Sequence, residues 1–190
     1  MSRLLRRAVN EEEGRVVRVR LLRRLVGRSP HPQRRRLATN IAEREGADVD
    51  VVRVAALFHD IAKLEAEQEV HAEEGARVAR EYLSTHGDFP QSFIEQVCQA
   101  STTTPIRDRC RCDARERCLI EADILDKVGA NGTVLMLLRM GYEARTHMDA
   151  SEMVDRVIER GEDARERVQS DTAESLVHQR LKRTRSFRSG

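Results

Sequence analysis

A histidine and an aspartate, His59 and Asp60, stand next to each other in an otherwise apolar stretch of the chain, between Phe58 and Ile61. Burying an ionisable pair among apolar side chains is costly unless other groups satisfy it. Imidazole and carboxylate together are ligands of divalent transition metals, so one interpretation is a metal site. The other is a buried histidine that is hydrogen-bonded to an acid of another helix. The dipeptide alone does not choose between them.

Further residues of the same chemistry lie elsewhere along the chain. His31 occurs in SPHPQRRRLA, His71 follows His59 by 12 positions, and Asp123 occurs in EADILDKVGANG. A histidine, then an HD pair, then an aspartate resembles the HD-domain superfamily of metal-dependent phosphohydrolases, whose pattern lies on separate helices of an α-bundle. The resemblance covers about residues 29–132.

The resemblance implies a first metal shell made of two imidazoles and two carboxylates, which are His31, His59, Asp60 and Asp123. These ligands suit one divalent ion, namely Mn, Fe, Co, Ni or Zn, with Mg possible. The implied activity is hydrolysis of a phosphate ester of a nucleotide or another small phosphorylated metabolite by attack of metal-bound hydroxide. Asp60 then has a catalytic role as well as a ligand role.

Three cationic or titratable side chains are candidates for contact with the substrate. Lys63 lies four residues after His59, on the same helical face, and either contacts the phosphate or extends into solvent. His71 resembles a family histidine near the metal cleft, where it binds substrate or acts as a general acid. Arg34, in H-x-x-R with His31, either binds phosphate or pairs with an acid.

The residues around Asp123 have two interpretations. Asp126, three positions later, could orient a ligand or fix a histidine tautomer, and Glu121 also flanks the site. An ordinary salt bridge between Asp123 and Lys127 at i, i+4 is the alternative.

The sequence departs from the family pattern at 98–102. Relatives with this layout often place one or two histidines there, whereas this chain has CQAST. We therefore expect one metal ion rather than two. The departure also keeps a second function open, a non-catalytic HD-fold sensor of metal or nucleotide, or a module that binds nucleic acid or protein.

All four cysteines fall within 21 residues, at Cys98, Cys110, Cys112 and Cys118. They could hold a structural Zn ion, although the spacing is not that of a standard zinc finger. Cys98 and Cys118 also fit apolar helical positions, where a free thiol behaves as a small hydrophobic group. Free thiols are our first expectation, with zinc and a disulfide as alternatives.

Hydrophobic spacing is helical along nearly the whole chain. Gly46 is expected to end one helix, Asp48 or Asp50 to cap the next, and the helix 49–64 to lie at the centre of the core. The fold class is an all-α HD-domain bundle with basic helical extensions. We divide the chain into a basic N-terminal helical segment (1–28), the core (29–147) and C-terminal helices that pack on the core and end in a basic tail (148–190). The helices are expected at 33–45, 49–64, 71–84, 90–100, 115–128, 133–147, 151–160 and 171–183.

Composition narrows the function classes. Of the 190 residues, 39% are apolar and 35% are charged, with no Trp, which disfavours a β-sandwich. No apolar run reaches the roughly 18 residues of a membrane span, and the N-terminus lacks a signal-peptide pattern, so we expect a cytoplasmic protein without membrane contact.

The charge distribution is uneven, because both ends are basic and the middle is acidic. Residues 1–36 contain 12 Arg and three Glu, but Arg outnumbers Lys 31 to 3 throughout and the basic ends have few aromatic residues. Nucleic acid is therefore not our expected partner. We expect a small phosphorylated substrate, with a homo-oligomer as a possibility.

Overall fold

The structure is a computed structural model that describes residues 32–59, 71–102, 112–142 and 148–186. These residues form eight helices and no strand, which confirms the all-α class. The helices are α1 (Pro32–Glu45), α2 (Val49–Phe58), α3 (His71–Thr85), α4 (Gln91–Ser101), α5 (Ala114–Asp126), α6 (Ala130–Tyr142), α7 (Ala150–Arg167) and α8 (Asp171–Ser186).

Local signals set the helix ends. Gly46 takes a φ of +71° immediately after α1, a conformation that glycine adopts without steric cost, so the chain turns there as expected. The side chain of Asp48 accepts hydrogen bonds from the backbone N–H groups of Asp50 and Val51 and thereby caps α2. Asp113 and Asp149 form capping boxes at the starts of α5 and α7.

Helix α2 lies in the centre of the core. Seven of its ten residues, from Val51 to Phe58, are buried. It packs against α1, α3, α4 and α5, and the strongest helix pairings elsewhere are α1 with α5 and α3 with α4. Packing on several sides explains why the apolar residues of α2 surround the helix rather than forming a single stripe.

Helix α7 is longer than the sequence indicated. We expected an end near Arg160, but α7 continues to Arg167. Gly161 is buried inside this helix, and the Leu181 side chain of α8 lies where a Cβ would be. The glycine therefore permits a close helix crossing and does not mark a helix end.

Helix α8 is anchored to α5 at two points. The buried carboxylate of Glu121 accepts hydrogen bonds from the backbone N–H groups of Gln169 and Ser170, both at 2.8 Å, and from the Ser170 hydroxyl at 2.5 Å. The Arg180 guanidinium donates to the carbonyls of Leu125 at 2.9 Å and Val128 at 3.0 Å. These bonds satisfy backbone groups at the start of α8 and at the end of α5.

Helix α6 has an exposed apolar face formed by Val134, Leu135, Leu138 and Tyr142. Across the described ranges, no helix combines the length and the apolar character that crossing a bilayer requires. The single chain does not test the expected possibility of a homo-oligomer.

Candidate functional site

The structure describes only some of the residues of the predicted metal site. His59, Asp123 and Arg34 are described and buried. His71 begins α3, but its side chain is not among those described. The predicted ligands His31 and Asp60 and the predicted phosphate contact Lys63 lie outside the described residues.

His59 follows α2 as its C-cap residue instead of lying inside the helix. Its Nδ1 atom is 3.1 Å from the backbone carbonyl oxygen of Ser101, which ends α4. A carbonyl can only accept, so Nδ1 carries the proton, and in the neutral ring the lone pair lies on Nε2. A histidine held in this way through one nitrogen is oriented for coordination through the other.

Asp123 is buried in α5, where cationic side chains contact its carboxylate. Arg34 Nη2 lies 3.0 Å from Oδ1, and Lys127 Nζ lies 2.5 Å from Oδ2. Burial raises the pKa of Asp123, but the charges of Arg34, Lys127 and His59, with the hydrogen bond from Lys127, outweigh burial and hold this pKa below its ordinary value. Asp123 is therefore ionised at neutral pH, the form that coordinates a metal.

His59 caps α2 and Asp123 lies in α5, two helices that pack together although 64 positions separate the two residues along the chain. The charge of His59 is among the smaller causes that lower the pKa of Asp123. Of the predicted metal shell, the described residues include one imidazole, His59, and one carboxylate, Asp123.

Arg34 pairs with acids in this structure. Besides Asp123, it contacts Asp126 Oδ2 at 3.6 Å, and its side chain is only 6% exposed. Of the two roles left open for Arg34, acid pairing is the one seen. The alternative assigned to Lys127, a salt bridge to Asp123, is also present.

Two of the residues proposed as site neighbours have other contacts. Glu121 is almost fully buried and binds the start of α8, so its role is structural. Asp126 lies beside Arg34 and helps to hold its guanidinium in place. No described hydrogen bond joins Asp126 to His59. Glu121, two positions before Asp123, is rotated away from it around the helix, whereas Asp126, three positions after it, shares its face and its partner Arg34.

A contributor that the sequence did not reveal is the backbone carbonyl of Ser101. Ser101 is the last residue of α4, so its carbonyl is not used by the helix and can accept from His59. A backbone group carries no sequence signature, although the resemblance to the HD superfamily had indicated that 98–102 lies near the site. The side chains expected there are replaced by a main-chain contact.

The cysteines give no support to a zinc site. Among the described residues, no group of three or more His, Cys, Asp or Glu side chains is placed to hold a metal ion. Cys98 and Cys118 are buried free thiols, as first expected, and burial raises the pKa of Cys98 and raises that of Cys118 to about 12. Cys110 lies outside the described residues, and Cys112 is half-buried.

Comparison with known proteins identifies the family. Residues 35–128 match the family model of the HD domain. The chain belongs to the HD-domain superfamily, as the order of its histidines and aspartates indicated. No curated protein matches the chain.

Several solved structures share the fold. Bacillus subtilis YpgQ in complex with ADP is 21% identical, with a TM-score of 0.68 over 90% of this chain and 93% of that chain. The Lin1889 protein of Listeria innocua is 16% identical, with a TM-score of 0.70 over 92% of both chains. A predicted HD superfamily hydrolase from an uncultured Thermotogales bacterium is 26% identical, with a TM-score of 0.58 over 90% of this chain and 86% of that chain.

Proposed function

We propose that this protein is a metal-dependent phosphohydrolase that cleaves a phosphate ester of a nucleotide or another small phosphorylated metabolite. The observation that carries the proposal is the pairing of a buried, oriented imidazole with a buried, ionised carboxylate inside an HD domain. The Ser101 carbonyl, 42 residues from His59 along the chain, fixes the ring so that Nε2 is the nitrogen left for an ion.

The donor set fits a divalent ion. His59 has its lone pair on Nε2, and Asp123 is an ionised carboxylate with little solvent contact. We propose that His31 and Asp60 complete the set. An ion held by these residues would supply Lewis-acid chemistry, which lowers the pKa of a water molecule and stabilises charge on a phosphoryl oxygen.

The chain's own residues do the positioning. The Ser101 carbonyl keeps the His59 ring in one orientation, and Arg34 keeps Asp123 ionised and in place. Rigid placement of ligands reduces the reorganisation needed when substrate binds. We propose that Lys63 and His71 contact the phosphate, His71 also as a general acid towards the leaving group.

Nucleotides are the substrate class that we favour. Bacillus subtilis YpgQ, which has this fold over 93% of its length, was solved in complex with ADP. A nucleoside phosphate combines a compact anion with an apolar and hydrogen-bonding base, the usual content of a small-molecule site. We expect the protein to act in the cytoplasm, and no nucleic-acid partner is proposed.

The test is a panel of nucleoside mono-, di- and triphosphates and sugar phosphates, offered to the chelator-treated full chain with Mn, Fe, Co, Ni, Zn or Mg. We expect release of phosphate or pyrophosphate with at least one metal, and product identification assigns the bond that is cut. His59→Ala and Asp60→Ala should abolish turnover, whereas His178→Ala, at an exposed position on α8, should retain it. Turnover that persists in His59→Ala would contradict the proposal.

A non-catalytic sensor is the second candidate, because cationic side chains already pair with both oxygens of Asp123. In that case the protein binds metal or nucleotide without releasing product. Nucleotide affinity that depends on metal, with no turnover across the panel, would favour the sensor. Affinity for nucleic acid that falls steeply with salt would favour an interaction module instead.

A further inference from the structure

The two cations that contact Asp123 are held very differently. Arg34 is 6% exposed, approaches Oδ1 and also contacts Asp126. Lys127 approaches Oδ2, but its side chain is 51% exposed. Oδ1 thus pairs with a buried guanidinium that two carboxylates hold, whereas Oδ2 pairs with a half-exposed ammonium group.

The energetic consequence follows from this difference. A guanidinium fixed by two carboxylates in the interior is expensive to move, because its departure would leave buried charge uncompensated. Lys127 has a flexible four-carbon stem and is half exposed, so water can solvate its ammonium when it leaves Asp123, and the pair is worth on the order of 1 kcal/mol. Lys127 can leave Asp123 easily, whereas Arg34 cannot.

We infer that Lys127 is a displaceable counter-ion that competes with the metal for Asp123 Oδ2. The inference rests on the proposed function, which makes Asp123 a metal ligand. A divalent ion and an ammonium group repel each other strongly at contact distance, so both cannot occupy the same oxygen. In the metal-free protein Lys127 neutralises the carboxylate, and on metal binding its Nζ moves into solvent or towards the substrate.

This arrangement makes Lys127 a residue that sets metal affinity. Its removal should strengthen metal binding, because the metal no longer has to displace a cation. A residue needed only to keep α5 folded would have the opposite effect or none. The direction of the change therefore distinguishes competition from a structural role.

The first experiment measures Mn²⁺ binding to the full chain by isothermal titration calorimetry. We expect Lys127→Gln to lower the Kd on the order of fivefold, the equivalent of about 1 kcal/mol. Lys127→Arg, which keeps the charge, should stay close to the wild type. Lys182→Gln is the matched control, since it removes the same charge from an exposed position on α8.

The second experiment follows the ammonium group itself. The chain contains only three lysines, so reductive ¹³C-methylation gives three side-chain NMR signals, and the one lost in Lys127→Gln is assigned to Lys127. Zn²⁺, which is diamagnetic, should shift this signal, while the Lys182 signal should stay in place.

The outcomes separate this inference from the function on which it rests. A wild-type chain that binds metal while Lys127→Gln binds equally well or more weakly would overturn the inference alone. A wild-type chain that binds none of the metals would overturn both the inference and the proposed metal centre.

Discussion

Gly75 lies directly against the backbone of Phe58, so that a Cβ atom at position 75 would come 2.6 Å from the Phe58 carbonyl oxygen. The same position is 3.5 Å from the carbonyl oxygen of His59. The first turns of α3 therefore cross the end of α2 next to His59, the histidine of the HD pair. Only a residue without a side chain permits this approach.

Gly75→Ala should lower the free energy of unfolding by about 1 to 3 kcal/mol, because a methyl group would push α3 away from the end of α2. Gly141→Ala is the matched control, since no atom lies within 4 Å of the added Cβ. The control should change stability by less than about 1 kcal/mol. Urea unfolding of both variants checks this, and equal effects would mean that the close crossing is not what requires Gly75.

Arg34→Gln should destabilise the protein by about 3 kcal/mol or more, because it leaves the Asp123 carboxylate buried with a single exposed cation as its partner. Arg36, two residues later, is exposed, and Arg36→Gln should have little effect. Chemical denaturation measures both variants. A small effect of Arg34→Gln would show that Lys127 alone compensates the buried charge.

Glu121→Gln should cost about 1 to 3 kcal/mol, because the amide cannot reproduce every hydrogen bond that the carboxylate accepts from Gln169 and Ser170. Glu174→Gln removes an exposed charge on α8 and serves as the control. Hydrogen exchange should show faster opening at the start of α8 in Glu121→Gln only. Unchanged exchange there would contradict the anchoring role of Glu121.

Acid should weaken the metal-free protein through Asp123. Its pKa is lowered in the folded state, so its contribution to stability is complete above the ordinary carboxyl pKa of about 3.9 and is lost as the pH falls through the lower folded value. The thermal midpoint of the chelator-treated wild type should therefore fall more steeply than that of Asp123→Asn between about pH 5 and pH 2. Parallel curves would show that Asp123 does not titrate with folding.

Much of the architecture could be predicted from local patterns. Gly46 and Asp48 acted as the expected stop and cap, and the apolar residues of α2 indicated its central place. The order of His31, the His59–Asp60 pair, His71 and Asp123 along the chain was enough to indicate the HD superfamily. These features depend on neighbours within a few residues or on order along the chain, and both can be recognised from the sequence alone.

The contacts that organise the site could not be predicted from the sequence in this way. The amino-acid types left Arg34 with two roles, and its place beside Asp123 and Asp126 was decided by the packing of α1 on α5. The Ser101 carbonyl that orients His59 has no side-chain signature at all. Gly161 lies inside α7, where its lack of a side chain makes room for Leu181, a contact between helices that local sequence does not reveal. Local chemistry sets which helices form, but only their crossing determines which charges and backbone groups meet.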